Sequence, residues 1–271
     1  MKETRIARDG LVLLGCGKMG SAMLEGWLAR GLPPASVWVS DPYPSDWLQE
    51  QGVHLNEDLP PAPAIVLVAV KPQMMAEALP TLRKMGNGET LFISVAAGTP
   101  IRFFEETLGA ETPVVRAMPN TPAAISRGIT AIVGNAVAGD RSLDEAETLL
   151  SAVGDVVRLA EEAQIDAVTG VSGSGPAYVF HMMEAMADAG EAQGLPRELA
   201  LQLAKATVAG AGALAMQSDE DPAQLRKNVT SPNGTTQAAL EVLMNPEDGF
   251  PPLLRRAVAA AADRSRELSR G

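Results

Sequence analysis

With 271 residues, 46% of them hydrophobic and 20% charged, the chain has room for one or two folded domains and lacks the polar bias of a disordered protein. Its net charge of −11, spread along the whole length, argues against a nucleic-acid partner. One cysteine and two histidines exclude an internal disulfide and a multi-cysteine metal site, so no metal is expected and a reducing, cytoplasmic setting is the simplest.

The N-terminal segment carries Lys2, Arg5 and Arg8, but only Leu11–Leu14 follows before glycine, too short for the apolar stretch of a secretory signal. No run approaches the roughly 18–20 apolar residues of a membrane helix, so no membrane partner is expected. Aliphatic runs at Leu11–Leu14, 37–39, 65–69, 91–95 and Val114–Met118 are bounded by Gly, Pro, Asp or Asn and read as strands buried on both faces. Helical patterns at 18–30, 45–51, 74–85 and 100–108 lie between them. This alternation predicts an α/β fold, a Rossmann-type doubly wound parallel sheet with right-handed crossovers. Strands at 129–133 and 156–159 extend it, and Ser142 with Glu145 reads as a capping box opening a helix over 143–152.

The first domain is therefore placed at 1–161. From 162 to 271 nearly every segment has helical periodicity, with breaks at 172–176, 194–196, 219–222, 231–234 and 245–252. Alanine is dense over 199–215 and 257–262, so these helices have few large side chains to bury among themselves. Burial against a second subunit is expected; ordinary packing within a monomer is the alternative.

Gly15-Cys16-Gly17-Lys18-Met19-Gly20 is a G-x-G-x-x-G sequence directly after a predicted strand and at the start of a predicted helix. The first glycine permits the turn, the second lets a pyrophosphate approach the backbone, and the third lets helix and strand pack closely. The open N–H groups of the helix start attract phosphate. Asp41 follows Gly20 by 21 residues at the end of the second strand, where an acid accepts from an adenosine ribose. That favours NADH over NADPH, since no Arg or Lys follows within 42–51 to pair with a 2′-phosphate. Ser40-Asp41-Pro42 is equally a turn with Asp at its start, so the preference between the two cofactors stays open.

Four further stretches are more specific: Ala69-Val70-Lys71-Pro72, Val95-Ala96-Ala97-Gly98, Arg116-Ala117-Met118-Pro119-Asn120-Thr121-Pro122, and TGVSGSGPAY at 169–178 with VTSPNGTT at 229–236. Together the chain resembles pyrroline-5-carboxylate reductases from Leu11 to about Leu268. The resemblance implies a Rossmann domain for NAD(P)H and a helical substrate and dimerisation domain that interleaves with its partner, the homodimers often assembling into larger rings. It implies hydride addition to the C=N bond of 1-pyrroline-5-carboxylate, giving L-proline in the last step of proline biosynthesis.

By the same resemblance, Gly15, Cys16, Gly17, Lys18 and Met19 form the phosphate loop, Ser40 and Asp41 meet the adenosine, and Asn56, Ala69, Val70 and Lys71 continue the cofactor contacts. Ala97 and Asn120 fall on the nicotinamide side, with Asn228 reaching in from the helical domain. Glu162, Ser231, Thr235 and Thr236 are implied substrate contacts, Thr236 as donor to the ring nitrogen and Glu162 serving the neighbouring subunit.

The residues themselves agree with this chemistry. Thr235 and Thr236 open an apolar-periodic helix after the turn at 231–234, and such a start offers hydroxyls and amides to a carboxylate, although Ser and Thr there are also ordinary caps. An imine can arrive already protonated, so a hydroxyl donor and good positioning suffice where an alcohol dehydrogenase needs a stronger acid or base. Among the remaining residues, His181 reads as packed or at an interface, His54 as surface, and Lys71 as a backbone contact fixed by Pro72. Cys16 reads as a small loop residue, and the arginines at 255–256 and 264–270 as a solvated face. Two rivals remain: a β-hydroxyacid dehydrogenase using Lys205, which lies too far from the glycine-rich 170–175 segment, and a dinucleotide-sensing regulator without turnover.

Overall fold

A computed structural model of the chain describes residues 5–270, so Met1 and Lys2 of the N-terminal segment lie outside the described residues. The chain divides into two compact units: one extends to Gly173 and takes in the segment from Ala261, the other is Ser174–Ala260. This packing boundary falls later than the one placed after Glu161. Glu162 and Ile165 explain the difference, because Glu162 is hydrogen-bonded to Arg116 and Ile165 is buried in the core around the sheet.

The first unit starts with α1 (Arg5–Asp9) and β1 (Leu11–Leu14), followed by α2 (Lys18–Ala29), β2 (Val37–Ser40), α3 (Asp46–Gln49) and β3 (His54–Leu55). Then come β4 (Ile65–Val68), α4 (Pro72–Ala78), β5 (Leu91–Ser94), α5 (Ile101–Leu108) and β6 (Val114–Met118). β7 (Gly128–Gly134), α6 (Asp140–Leu150), β8 (Gly154–Arg158) and α7 (Gln164–Val168) complete it. The strands form one sheet in the order β3-β2-β1-β4-β5-β6-β7-β8. All neighbours are parallel except β6 and β7, which pair antiparallel.

All residues of β1, β4 and β5 are buried, as their unbroken aliphatic runs predict for strands covered on both faces. Alternate residues point to opposite sides. Leu11, Leu13, Ile65, Leu67 and Ile93 pack with α2 and α6, including Trp27, whose indole donates to Leu149 O at 3.0 Å. Val12, Leu14, Val66, Val68 and Phe92 pack with α4 and α5.

Several local expectations change. Helix α6 starts at Asp140, and its cap, Gly139, has no side-chain bond; the Ser142–Glu145 capping box does not form. Tertiary charge wins there, since Glu145 pairs with Arg5 at 3.0 Å and Arg141 at 3.2 Å. The helix predicted over 74–85 ends at Ala78 and tightens to a 3₁₀ turn over Leu79–Met85, where Pro80 lacks the N–H an α-helix needs. The break predicted at 172–176 is a π-helical turn, Thr169–Gly173.

The second unit contains α8 (Gly175–Ala192), α9 (Arg197–Gln217), α10 (Pro222–Asn228), α11 (Thr235–Leu243) and the first part of α12 (Phe250–Arg270). Helices α8 and α9 approach closely: a Cβ on Gly190 would lie 3.1 Å from Ala200 Cβ. The buried apolar residues of this unit are only Ala187, Ala200 and Ala204, with Leu201 packed against them. Helix α9 bears on the expectation that no run is apolar enough to cross a membrane. An 18-residue window within its 21 residues reaches a mean hydropathy of 1.4, enough by length and composition alone to cross a membrane, because leucine and alanine dominate it and Gln202 and Lys205 are its main polar interruptions.

Candidate active site

The sheet order reverses at β1: the chain passes from β1 to β2 on one side and later returns to β4 on the other. Ligands of open α/β sheets bind at the carboxyl ends of strands at such a switch point. The register aligns Leu14 with Ser40 and with Val68, so Gly15, Asp41 and Ala69 all emerge at this edge. Gly15 N–H donates to Ser40 O and Ala69 N–H to Leu14 O, each at 2.8 Å.

Each glycine of the loop has its own constraint. Gly15 has φ +86°, and a Cβ there would meet Val70 Cγ1 at 2.9 Å. A Cβ on Gly20 would lie 2.6 Å from Gly15 O. Gly17, by contrast, faces open space, with no heavy atom within 4 Å of its virtual Cβ. Gly17 also caps α2 without any side-chain bond, leaving the amides of Lys18, Met19 and Gly20 to an outside acceptor. Tight contact behind and an open approach in front fit a pyrophosphate.

Asp41 lies beside this loop. Its Oδ2 accepts from Cys16 N–H at 2.6 Å and its Oδ1 from Tyr43 N–H at 2.7 Å. Asn56, in the left-handed region at φ +55°, holds the Asp41 backbone from both sides: Oδ1 accepts from Asp41 N–H and Nδ2 donates to Asp41 O, both at 2.9 Å. The turn-forming bond to Tyr43 and the placement beside the Gly15–Gly20 loop therefore coexist. Burial pushes the Cys16 thiol above the ordinary range, and the charge of Asp41 adds to this against the hydrogen bond from Ser21.

Farther along the edge, Lys71 is extended and exposed at the cap of α4, whose first turn begins with Pro72, two residues before the predicted start of that helix. Ala97 is exposed in the turn after β5. Asn120 is buried, and its Oδ1 accepts from Ile129 N–H at 3.0 Å. Glu162 Oε1 accepts from both Arg116 Nη1 at 2.6 Å and Ile101 N–H at 2.9 Å.

In the second unit, Asn228 ends α10 and donates to Glu220 Oε2 at 2.8 Å while accepting from Gln224. Ser231 and Thr235 are exposed and Thr236 is half-buried. Helix α11 has Gly234 as its cap and no side-chain cap bond, so neither threonine is spent as a cap. Its first-turn amides and two hydroxyls therefore remain for an anionic ligand.

Other candidates sort by geometry. His54 is more than a surface residue: its ring stacks on Trp38 with centroids 4.4 Å apart and reaches Glu57 and Ala35 O. His181 is exposed within the chain and pairs with Glu184 at 3.1 Å, so it is not a core histidine. Lys205 is exposed on α9. Sequence reasoning missed the pairing of Arg116, a buried cation with a distant partner, and did not single out Arg226 and Lys227, which line a groove of about 390 Å³ beside α11.

A pyrroline-5-carboxylate reductase of Pseudomonas aeruginosa is 42% identical over 265 residues, covering 96% of each chain. The chain belongs to the pyrroline-5-carboxylate reductase family. Residues 162–268 match the family described as pyrroline-5-carboxylate reductase dimerisation, and residues 11–98 match NADP oxidoreductase, coenzyme F420-dependent. Among solved structures, a pyrroline-5-carboxylate reductase of Coxiella burnetii is 35% identical with TM-score 0.90, covering 96% of this chain and 98% of its own. The Plasmodium falciparum pyrroline carboxylate reductase, solved with NADP bound, is 27% identical with TM-score 0.84, covering 97% and 99%.

Proposed function

We propose that this chain is a pyrroline-5-carboxylate reductase, reducing the C=N bond of 1-pyrroline-5-carboxylate to L-proline with NADPH or NADH. The observation that carries this is the presence in one chain of a glycine cradle open at Gly17 and a helix start at Thr235 without a side-chain cap. Residues 1–161 serve as the dinucleotide-binding domain and residues 162–271 as the helical substrate and dimerisation domain.

Gly15, Cys16, Gly17, Lys18, Met19 and Gly20 hold the pyrophosphate; Ser40 and Asp41 hold the adenosine side. Asn56, Ala69, Val70, Lys71, Ala97, Asn120 and Asn228 complete the cofactor contacts. The bound dinucleotide supplies the hydride. Ser231, Thr235 and the amides of α11 hold the substrate carboxylate, and the Thr236 hydroxyl donates to the ring nitrogen. A protonated imine needs no stronger acid, which matches a site built from hydroxyls. Glu162 enters as a substrate contact through the resemblance, while its Oε1 already serves Arg116 and Ile101.

A homodimer belongs to the same proposal. Leu199, Leu203 and Leu214 are exposed on α9, and Val179, Phe180 and Met186 on α8, a quantity of apolar surface that a second copy buries. Assembly of dimers into rings is the further expectation. The reducing cytoplasm suits the lone thiol at the phosphate loop.

The test is incubation of purified protein with 1-pyrroline-5-carboxylate and either NADH or NADPH, following dihydronicotinamide absorbance and proline by mass spectrometry. Formation of proline supports the reading; no proline with either cofactor overturns it.

A further inference from the structure

We infer that Asp41 makes this enzyme select NADH over NADPH, with Asn56 as the residue that positions it. The inference rests on the reading of the Gly15–Gly20 edge as a dinucleotide site and deepens it by assigning the cofactor class. It runs against the direction suggested by the NADP named for the Plasmodium relative, so it separates this chain from that neighbour.

The argument is one of donors and acceptors. An ionised carboxylate offers about four acceptor positions and no donor. Two of those on Asp41 are taken, one on each oxygen, by the amides of Cys16 and Tyr43. Each oxygen keeps capacity for one more donor. The 2′- and 3′-hydroxyls of the NADH adenosine ribose are two donors, matching what remains. A 2′-phosphate brings acceptor oxygens and negative charge to the same place, so it gains no hydrogen bond and is repelled.

Two features keep the carboxylate from evading the clash. The amides of Cys16 and Tyr43 fix its two oxygens, and Asn56 pins the Asp41 peptide through its own N–H and C=O. Asn56 spends one donor and one acceptor of its side-chain amide on that task, which makes it a support for Asp41. The segment 42–51 contains Asp46 and Glu50 but no Lys or Arg to neutralise a phosphate.

The experiment compares wild-type, Asp41→Ser, Asp41→Asn and Asn56→Ala proteins by kcat/KM for NADH and NADPH, and by calorimetric binding of each cofactor without substrate. The wild type is expected to favour NADH at least tenfold in both measurements. Asp41→Ser should raise kcat/KM for NADPH about tenfold or more and lower that for NADH. Asp41→Asn, which keeps an acceptor without the charge, should recover NADPH use while retaining part of the NADH affinity. Asn56→Ala should narrow the ratio between the cofactors, whereas a merely structural loss would weaken both in proportion.

A wild type that prefers NADPH, or an Asp41→Ser ratio equal to wild type, overturns the inference. The wild-type ratio stands even if a variant fails to fold. Cofactor selection read by calorimetry, with no reduction of 1-pyrroline-5-carboxylate, would sink the catalytic reading and leave this one intact.

Discussion

Arg116, only 5% exposed, donates from its guanidinium to Glu162 Oε1 at 2.6 Å and thereby ties β6 to the segment just before α7. The same oxygen receives the first amide of α5 from Ile101. Removing the carboxylate would leave a buried cation and an orphaned helix amide together. Glu162→Ala is expected to cost about 2–4 kcal/mol, discounted from the roughly 3–5 kcal/mol of a broken buried pair because Glu162 is itself one-third exposed. Glu162→Gln keeps an acceptor and should lose less than half of that. Urea denaturation of both variants measures the difference, and a change in substrate KM for the folded Gln variant reports on the proposed substrate contact.

The glycine loop makes opposite predictions at two positions. At Gly20 an added methyl meets Gly15 O at 2.6 Å, so Gly20→Ala should cost ~1–3 kcal/mol of stability and also weaken dinucleotide binding. At Gly17 the methyl meets nothing within 4 Å. Gly17→Ala should leave thermal stability close to wild type while lowering cofactor affinity, because the methyl occupies the approach of the pyrophosphate. Thermal melts paired with calorimetric titration of NADH and NADPH separate the two effects; equal affinity in Gly17→Ala would remove the cradle from cofactor binding.

Much of this was legible in the sequence because β1, β4 and β5 are buried on both faces and must be continuous aliphatic runs. The glycine loop was legible for a similar reason: backbone approach and φ leave little choice of residue. What could not be read depended on distant partners. β3 is two residues at the sheet edge, too short to carry a period. The capping box at Ser142 and Glu145 had the right spacing, but Arg5, some 140 residues away, claims the glutamate. Arg116 sits in an apolar strand as an apparent exception, and its meaning appears only beside Glu162. The hydroxyls at Thr235 and Thr236 were visible, but only the cap geometry of α11 distinguishes them from ordinary capping residues.

Thr236 provides the catalytic test. Thr236→Ala is expected to lower kcat severalfold to about a hundredfold, the range for lost positioning and one lost hydrogen bond. Binding of the dinucleotide alone should change little, because the glycine loop belongs to a separate element. Steady-state rates with saturating cofactor measure this, and wild-type turnover would remove Thr236 from the mechanism.

Cys16 gives a pH prediction. Burial raises its thiol above the ordinary 9.0, so the neutral form is favoured in the folded protein. Alkylation by iodoacetamide should therefore be slower than for a free thiol at neutral pH and continue to rise as pH passes 9.0. The linkage has a definite sign: a raised thiol stabilises the fold fully below the unfolded value and loses that contribution as pH climbs through the folded one. Bound NADH or NADPH should slow the labelling. Mass-spectrometric labelling rates across pH test this, and a rate that levels off below 9.0 would contradict the raised thiol.

The helical unit yields the assembly prediction. Its buried apolar set is only three alanines, with Leu201 partly buried against them, while Leu199, Leu203 and Leu214 recur along α9 at spacings that keep them on related turns. Such a surface left in water costs about 25 cal/mol for each Å² of apolar area, so burial by a second copy is strongly favoured. A carboxylate introduced at its centre, as in Leu203→Asp, would have to be desolvated at the interface. Light scattering after gel filtration should give wild type at a multiple of 28.3 kDa and Leu203→Asp shifted toward that single-chain mass. The variant should keep its sheet, because Leu203 belongs to the helical unit and not to the core around β1 and β4. An unshifted mass would mean that α9 turns another face to the partner.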